Sequence, residues 1–94
     1  MNKYEGVFIF RPNMEEEKRN SIFDKVKGII ESNGSVENVD EWGTRKLAYE
    51  IKDRTEGYYI LVNFEAETDT VNEVHRISGI TDEILRHMIV KEEQ

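Results

Sequence analysis

Residues 43–65 read GTRKLAYEIKDRTEGYYILVNFE, and this stretch decides the fold. In its first part Leu47, Tyr49 and Ile51 alternate with Ala48 and Glu50, the two-residue period of a strand. In its second part Tyr58, Ile60, Val62 and Phe64 share one face, and Tyr59, Leu61 and Asn63 share the other. Lys52 to Gly57 between them is polar and turn-forming. Two strands joined by such a turn read as one long hairpin. Its first strand starts as early as Ser35 and is interrupted near Trp42-Gly43. Val36 and Val39 are three apart, which strict alternation does not allow, so a β-bulge is expected there.

Helical patterns flank the hairpin on both sides. Upstream, Ile22, Phe23, Val26, Ile29 and Ile30 form one apolar stripe at helical spacing. Asn13 with Glu16 predicts the cap, and Glu15, Glu16 and Glu17 fall in the first turn, where the helix dipole favours negative charge. Asn33-Gly34 stops this helix, with Gly34 suited to a left-handed position after the last turn. Downstream, Val71, Val74 and Ile77 predict a shorter amphipathic helix that ends near Gly79. Thr70 and Glu73 form its expected capping box, with Thr68 the alternative cap.

Outside the helices lie two more strands. Lys3 to Phe10 places Tyr4, Gly6, Phe8 and Phe10 on one face and Glu5, Val7 and Ile9 on the other. Both faces are apolar, which predicts a central strand. Pro12 has no N–H to donate and closes it. Ile84 to Lys91 is the last strand, and residues 92–94, Glu92-Glu93-Gln94, form a short acidic tail. The order β-α-β-β-α-β predicts an α+β, ferredoxin-like fold: a four-stranded antiparallel sheet with both helices on one face, in a single domain over residues 1–94. The other face is then open. It carries Val7, Ile9, Tyr59 and Leu61 if the Phe8 and Val62 sets face the helices, and an exposed apolar patch marks a binding surface.

Composition narrows the function. Leu, Ile, Val and Phe are 25 of 94 residues, enough for a core and above the roughly one fifth that marks disordered chains. No apolar run approaches the ~18 residues of a membrane span, and MNKYEGVFIF lacks a signal-peptide pattern. With no cysteine, disulfides, thiolate metal sites and a Cys nucleophile are excluded, and a reducing cytoplasm is expected. The net charge of −7 opposes a polyanion as an autonomous ligand.

Cations are nevertheless concentrated. Arg45, Lys46 and Lys52 against Glu50 make residues 42–52 net +2, and Arg86 with Lys91 does the same for residues 84–91. Lys3 opens the first strand and shares a side of the sheet with Arg86, and with Lys91, if the first and last strands are neighbours. Protection of strand edges and phosphate binding explain this pattern equally well. His75 and His87 have no ligand cluster nearby in sequence and read as surface or packing residues. The scattered glycines form no phosphate loop. Arg11, at the loop where acylphosphatases of the same topology hold phosphate, is followed by Pro12, which removes an N–H from that loop. Against the RNA-recognition motif, Glu56 to Leu61 matches only at Gly57 and Tyr58.

Several stretches together resemble one family. Tyr4-Glu5, Pro12-Asn13, Gly43-Thr44-Arg45-Lys46-Leu47-Ala48-Tyr49-Glu50-Ile51, Gly57-Tyr58-Tyr59 and Arg86-His87-Met88-Ile89-Val90-Lys91 are similar to the S-six family of bacterial small-subunit ribosomal proteins. The likeness runs over about residues 2 to 91, and the G-x-R-x-L-A-Y-x-I stretch is its most specific part. It implies a structural protein of the ribosome, not an enzyme, with no cofactor, metal or small-molecule substrate. It implies binding to the central domain of small-subunit rRNA as a heterodimer with a basic partner, small-subunit ribosomal protein eighteen, during platform assembly. Such a partner would supply the positive field that this acidic chain lacks.

On that resemblance the RNA-binding residues are Lys3, Tyr4, Arg45, Lys46, Asn72, Arg86 and Lys91, with Tyr4 stacking on a base or sugar. Arg45 and Lys46 could meet RNA or the partner. The partner-binding residues are Trp42, Tyr49, Tyr59, Leu61 and Met88, although Tyr49 shares a face by alternation with Leu47, a core candidate. Asn2 precedes Lys3 where many relatives are more basic, and Leu85 stands where a second Arg can occur. Weak RNA affinity without the partner is therefore expected. The alternatives are an acylphosphatase-like enzyme and a small-metabolite-sensing domain of the same topology.

Overall fold

In the computed structural model, which describes residues 1–51 and 53–92, six elements follow one another: β1 (Asn2–Phe10), α1 (Glu16–Ser32), β2 (Ser35–Ile51), β3 (Arg54–Ala66), α2 (Thr68–Ile80) and β4 (Ile84–Lys91). Lys52, counted above among the hairpin cations, and Glu93-Gln94 of the acidic tail lie outside the described residues. The strand order is β2-β3-β1-β4, and every neighbouring pair is antiparallel. This is the ferredoxin-like arrangement expected, with β1 central. β1 pairs with β3 from Asn2↔Ala66 to Phe10↔Tyr58 and with β4 from Tyr4↔Lys91 to Phe10↔Ile84.

The even-numbered side of β1 builds the core. Tyr4, Phe8 and Phe10 join Ile60, Val62, Phe64 and Ala66 of β3, and together they meet Phe23, Val26 and Ile30 of α1 and Val71 and Val74 of α2. Phe8, Phe10 and Phe64 are wholly buried. Burial of each such ring contributes about 1.5–3 kcal/mol. Ile22 and Ile29 pack against the edge of this cluster, so the predicted stripe of α1 is the buried one.

Local details depart from the expectations in four places. Asn13 does not cap α1; Glu15 occupies the cap without a side-chain bond, and Asn13 turns the chain at φ 61. Asn tolerates that left-handed conformation, which the chain needs immediately after Pro12. Gly34 is not left-handed. It is there for space: a Cβ would collide with the carbonyl oxygen of Glu65 and stand 3.0 Å from Cα of Ala66. The second helix begins at Thr68, so Thr70 is a buried residue of its first turn. Glu73 binds Arg76 through hydrogen bonds of 2.7 and 2.8 Å in place of a capping box. The hairpin turn is shorter than expected, because residues 54–57 already belong to β3 and Asp53, at φ 63, sits in the turn.

The irregularities expected in β2 are present. Its register with β3 shifts between Val36 and Asn38 and again between Glu41 and Gly43, where Gly43 adopts φ 81. Each shift places two residues of β2 opposite one of β3, the arrangement of a β-bulge.

Candidate nucleic-acid and partner interface

The odd-numbered residues of β1 face away from the helices, and pairing carries that face across the sheet in rows. Arg86, Ile9, Tyr59 and Gly43 form the first row. Met88, Val7, Leu61 and Asp40 form the second, and Val90, Glu5, Asn63 and Asn38 the third. Beyond them, Lys3 lies opposite Glu65. The face therefore grades from aromatic and basic, through apolar, to polar and acidic. Large apolar side chains stand free on it: Trp42 is 40% exposed, Met88 42% and Val90 64%.

Trp42 reaches this face through the second bulge, where it and Gly43 together oppose Tyr59. Its ring stacks on Tyr59 with centroids 6.0 Å apart and planes 15° from parallel. Its indole N–H donates to Asp40 at 3.0 Å, and its carbonyl accepts from Nε of Arg45 at 3.3 Å. The Arg45 guanidinium lies 6.0 Å from the Trp42 ring centre. Trp42, Tyr59 and Arg45, all candidates from sequence, thus form one contiguous group.

Tyr49 arrives by a different route. Lys46 pairs with Glu56 and Ile51 with Arg54, so Leu47 to Glu50 stand opposite Thr55 alone. The surplus length lets the end of the hairpin lie over the open face. The guanidinium of Arg86, on the far edge strand β4, sits 5.4 Å from the centre of the Tyr49 ring. Under this roof is a cavity of about 280 Å³ lined by Ile9, Leu47, Tyr49, Tyr59, Arg86 and Met88. Ile9, expected on the open face, is consequently only 4% exposed. Gly57 makes the close approach possible: a Cβ there would collide with Cγ2 of Ile9 and lie 3.4 Å from Cδ2 of Leu47. Leu47 belongs to the roof and not to the helix-side core.

The remaining sequence candidates fall into two groups. Arg86, Arg45 and Lys46 occupy the end of the sheet near the hairpin tip. Lys3 and Lys91 lie at the opposite end, six positions along β1 from Ile9, or roughly 20 Å at strand rise. Lys91 pairs with Tyr4 and so projects to the helix side, not to the side of Lys3 and Arg86. Asn72, exposed, sits near the start of α2 at that same end. Lys3 faces Glu37 at 3.6 Å. The stacking role read for Tyr4 does not fit: the residue is 8% exposed and its ring lies against Phe64, with centroids 5.5 Å apart. Tyr4 is a core residue, because it shares the face of Phe8 and Phe10. Leu85, at the irregular step between Ile9↔Arg86 and Phe10↔Ile84, is buried, as its apolar character suits.

Val90 is not among the sequence candidates for this face, whereas alternation already puts Asn63 on it beside Tyr59 and Leu61. Val90 follows Met88 in simple alternation, which was the available signal. Asn63 donates to Glu92 at 2.9 Å and accepts from Asn38 at 3.4 Å, closing the polar end of the face. At the loop of Arg11 the structure gives a cleft lined by the cations Arg11, Lys18 and Arg54 together with the carboxylates of Glu15 and Glu83. The backbone N–H of Arg11 is already spent on the carbonyl of Glu83. The Glu83 carboxyl is held below its ordinary range by its own backbone N–H and by Lys18. With the Arg11 N–H taken and two carboxylates offsetting most of the positive charge, the acylphosphatase reading loses its anion cradle. The histidines, read from sequence as surface or packing residues, meet across α2 and β4 with Nδ1 of His75 3.1 Å from Nε2 of His87.

Comparison with known proteins gives a consistent result. A family model described as "Ribosomal protein S6" matches residues 3–91. Small ribosomal subunit protein bS6 of Alkaliphilus oremlandii is 57% identical over 94 residues, covering 100% of both chains. The protein of the same name from Clostridium perfringens is 54% identical over 95 residues, again covering 100% of each. Among solved structures, 30S ribosomal protein S6 of Thermotoga maritima superposes with a TM-score of 0.89 at 35% identity, covering 97% of this chain and 87% of that one.

Proposed function

The chain belongs to the ribosomal protein S6 family, and from that premise we propose that it binds the central domain of small-subunit rRNA as a heterodimer with small-subunit ribosomal protein eighteen. Membership makes it a structural constituent of the small ribosomal subunit, associated with rRNA, and not an enzyme. The finer reading adds that the whole of residues 1–94 acts as one domain that joins the assembling platform in the cytoplasm.

The observation that carries this reading is the helix-free face of the sheet. Trp42, Tyr59, Leu61 and Met88 form an apolar strip on it, and the cations Arg45 and Arg86 stand at its edge. Aromatic side chains with Arg at the border are what partner interfaces enrich. The partner takes the strip, with Tyr49 added from the roof. RNA takes Arg86, Arg45 and Lys46 at one end and Lys3, Lys91 and Asn72 at the other, with Arg45 and Lys46 shared between RNA and protein. A net charge of −7 leaves the isolated chain repelled by phosphate, so the basic partner has to bring the positive field.

The test is binding to a central-domain rRNA fragment across a salt series, with and without the partner. Tight, salt-sensitive binding only in the presence of the partner supports the reading. Equal binding by the chain alone removes the need for the heterodimer, and no binding in either case overturns the RNA assignment.

A further inference from the structure

His75 is an exposed residue of α2, and His87 is partly buried on the helix side of β4. Their nearest ring nitrogens are 3.1 Å apart, their ring centres 5.2 Å apart, and their planes tilted by 51°. Two neutral imidazoles at this separation can share one hydrogen bond, which uses one N–H and one lone pair. The same separation is also close to the bite of a chelate that uses both lone pairs. An ion held tetrahedrally at ~2.05 Å from each nitrogen would set the two nitrogens ~3.3 Å apart. Conversion from one to the other needs a change of tautomer, a few tenths of an ångström, and a turn of the rings that aims both lone pairs at one point.

Two features favour the chelate. Among the described residues, the only protein hydrogen bond of either ring is the one between them, so the outer nitrogens, Nε2 of His75 and Nδ1 of His87, are free to carry the protons. The His87 ring is set in place by stacking on Phe8 at 6.5 Å and 15°, while His75 leaves the outer side open to an incoming ion and its waters. Imidazole pairs select borderline transition ions over magnesium and calcium, which prefer oxygen. Among the described residues no third His, Asp or Glu completes a cluster, so water fills the remaining positions.

We propose that His75 and His87 form a bidentate site for a borderline divalent transition ion: zinc, nickel or copper(II). Bound there, the ion ties α2 to the edge strand that carries Arg86 and Met88. The site does not depend on the partner or RNA assignments above.

Calorimetric titration of the untagged full chain with Ni²⁺ and Zn²⁺ near neutral pH, combined with imidazole nitrogen NMR, tests the proposal. The expected result is one ion per chain, shifts at both rings, about tenfold or greater loss of affinity in His75→Ala, and no binding of Mg²⁺. His87→Ala removes a ring stacked on Phe8, so His75→Ala, on an exposed helical position and checked by circular dichroism, is the deciding variant. Unchanged affinity in His75→Ala, shifts confined to other groups such as the Met1 amine, or no shift at millimolar ion each overturns the site and leaves a simple hydrogen-bonded pair.

Discussion

The two faces of the sheet are made by the same strands and obey opposite rules. On the helix side Phe8, Phe10, Val62 and Phe64 are wholly buried, and the cluster is closed by two helices of the same chain. On the other side Met88 and Trp42 remain about two fifths exposed, although their neighbours Val7, Leu61 and Tyr59 are as apolar as a core. Among the described residues no third layer covers that face. The chain offers only the folded-over end of its own hairpin, which covers Ile9, reaches Met88 without burying it, and leaves Val90 free. One face therefore supplies stability within the chain, and the other leaves apolar surface uncovered. Mutations can tell the two faces apart.

The largest effect is expected on the closed face. Phe8→Ala leaves a cavity where no solvent reaches, at a cost of about 3–5 kcal/mol. A domain of this size has roughly 5–15 kcal/mol in all, so a large part of its stability goes. Urea denaturation would show a lower midpoint with the slope retained. A loss under ~1 kcal/mol would mean that the core collapses around the gap and that the two faces differ less than their burial suggests.

Tyr59→Ala is the matching change on the open face. Tyr59 stacks on Trp42 and lies under the hairpin roof, so its removal costs some folding energy. The greater loss is expected in partner association, where a central aromatic is worth about 2 kcal/mol, or roughly thirtyfold in affinity. Thermal unfolding of the free chain and titration with the partner measure the two terms separately. If the chain unfolds while partner affinity per folded molecule is unchanged, the open face is a second core and the division fails.

Both outcomes bear on how far the structure was legible beforehand. The helix side could be read from alternation and helical spacing alone, because burial there selects the same residue types as the period predicts. Element order, the central place of β1 and the bulged β2 followed from Phe8, Val36, Val39 and Gly43 in that way. What escaped depends on contacts between distant segments. Ile9 is covered only because Leu47 to Glu50 carry surplus length over Thr55, which no local pattern announces. Tyr4 shares the face of Phe8 and Phe10 by alternation, but the resemblance gives it a stacking role on RNA that its burial beside Phe64 excludes. Asn13 carried a capping signal and serves a left-handed turn, since the same side chain suits both. His75 and His87 meet through packing of α2 on β4, at a sequence distance that gives no spacing motif.

A smaller effect tests the border between the faces. Arg86 sits at the edge of the apolar strip with its guanidinium over Tyr49. Arg86→Ala is expected to flatten the salt dependence of rRNA binding by the heterodimer by about one unit, as loss of one phosphate contact does. The free chain should fold normally, because the side chain is exposed. An unchanged slope with weakened partner binding would move Arg86 from the RNA set to the partner set and widen the protein interface.

The smallest effect returns to the helix side, where one polar group lies against the core. His87 is held below the ordinary imidazole range, first by burial and second by the charge of His75. In the unfolded chain it titrates near pH ~6.5. Between that value and its lower folded value, the unfolded state binds more protons than the folded one. Stability therefore rises with pH across this window. Measured in metal-free buffer, the contribution is complete above the unfolded value and is lost progressively as pH falls below it. His87→Gln removes the titrating group, so its stability profile should be flatter than that of the parent through the same window. Part of the parent's slope should also disappear in His75→Ala, which removes the charge but leaves the burial. Equal slopes in the parent and His87→Gln would show that His87 is as well solvated as an open-face residue, and that the closed face is closed only around its aromatic centre.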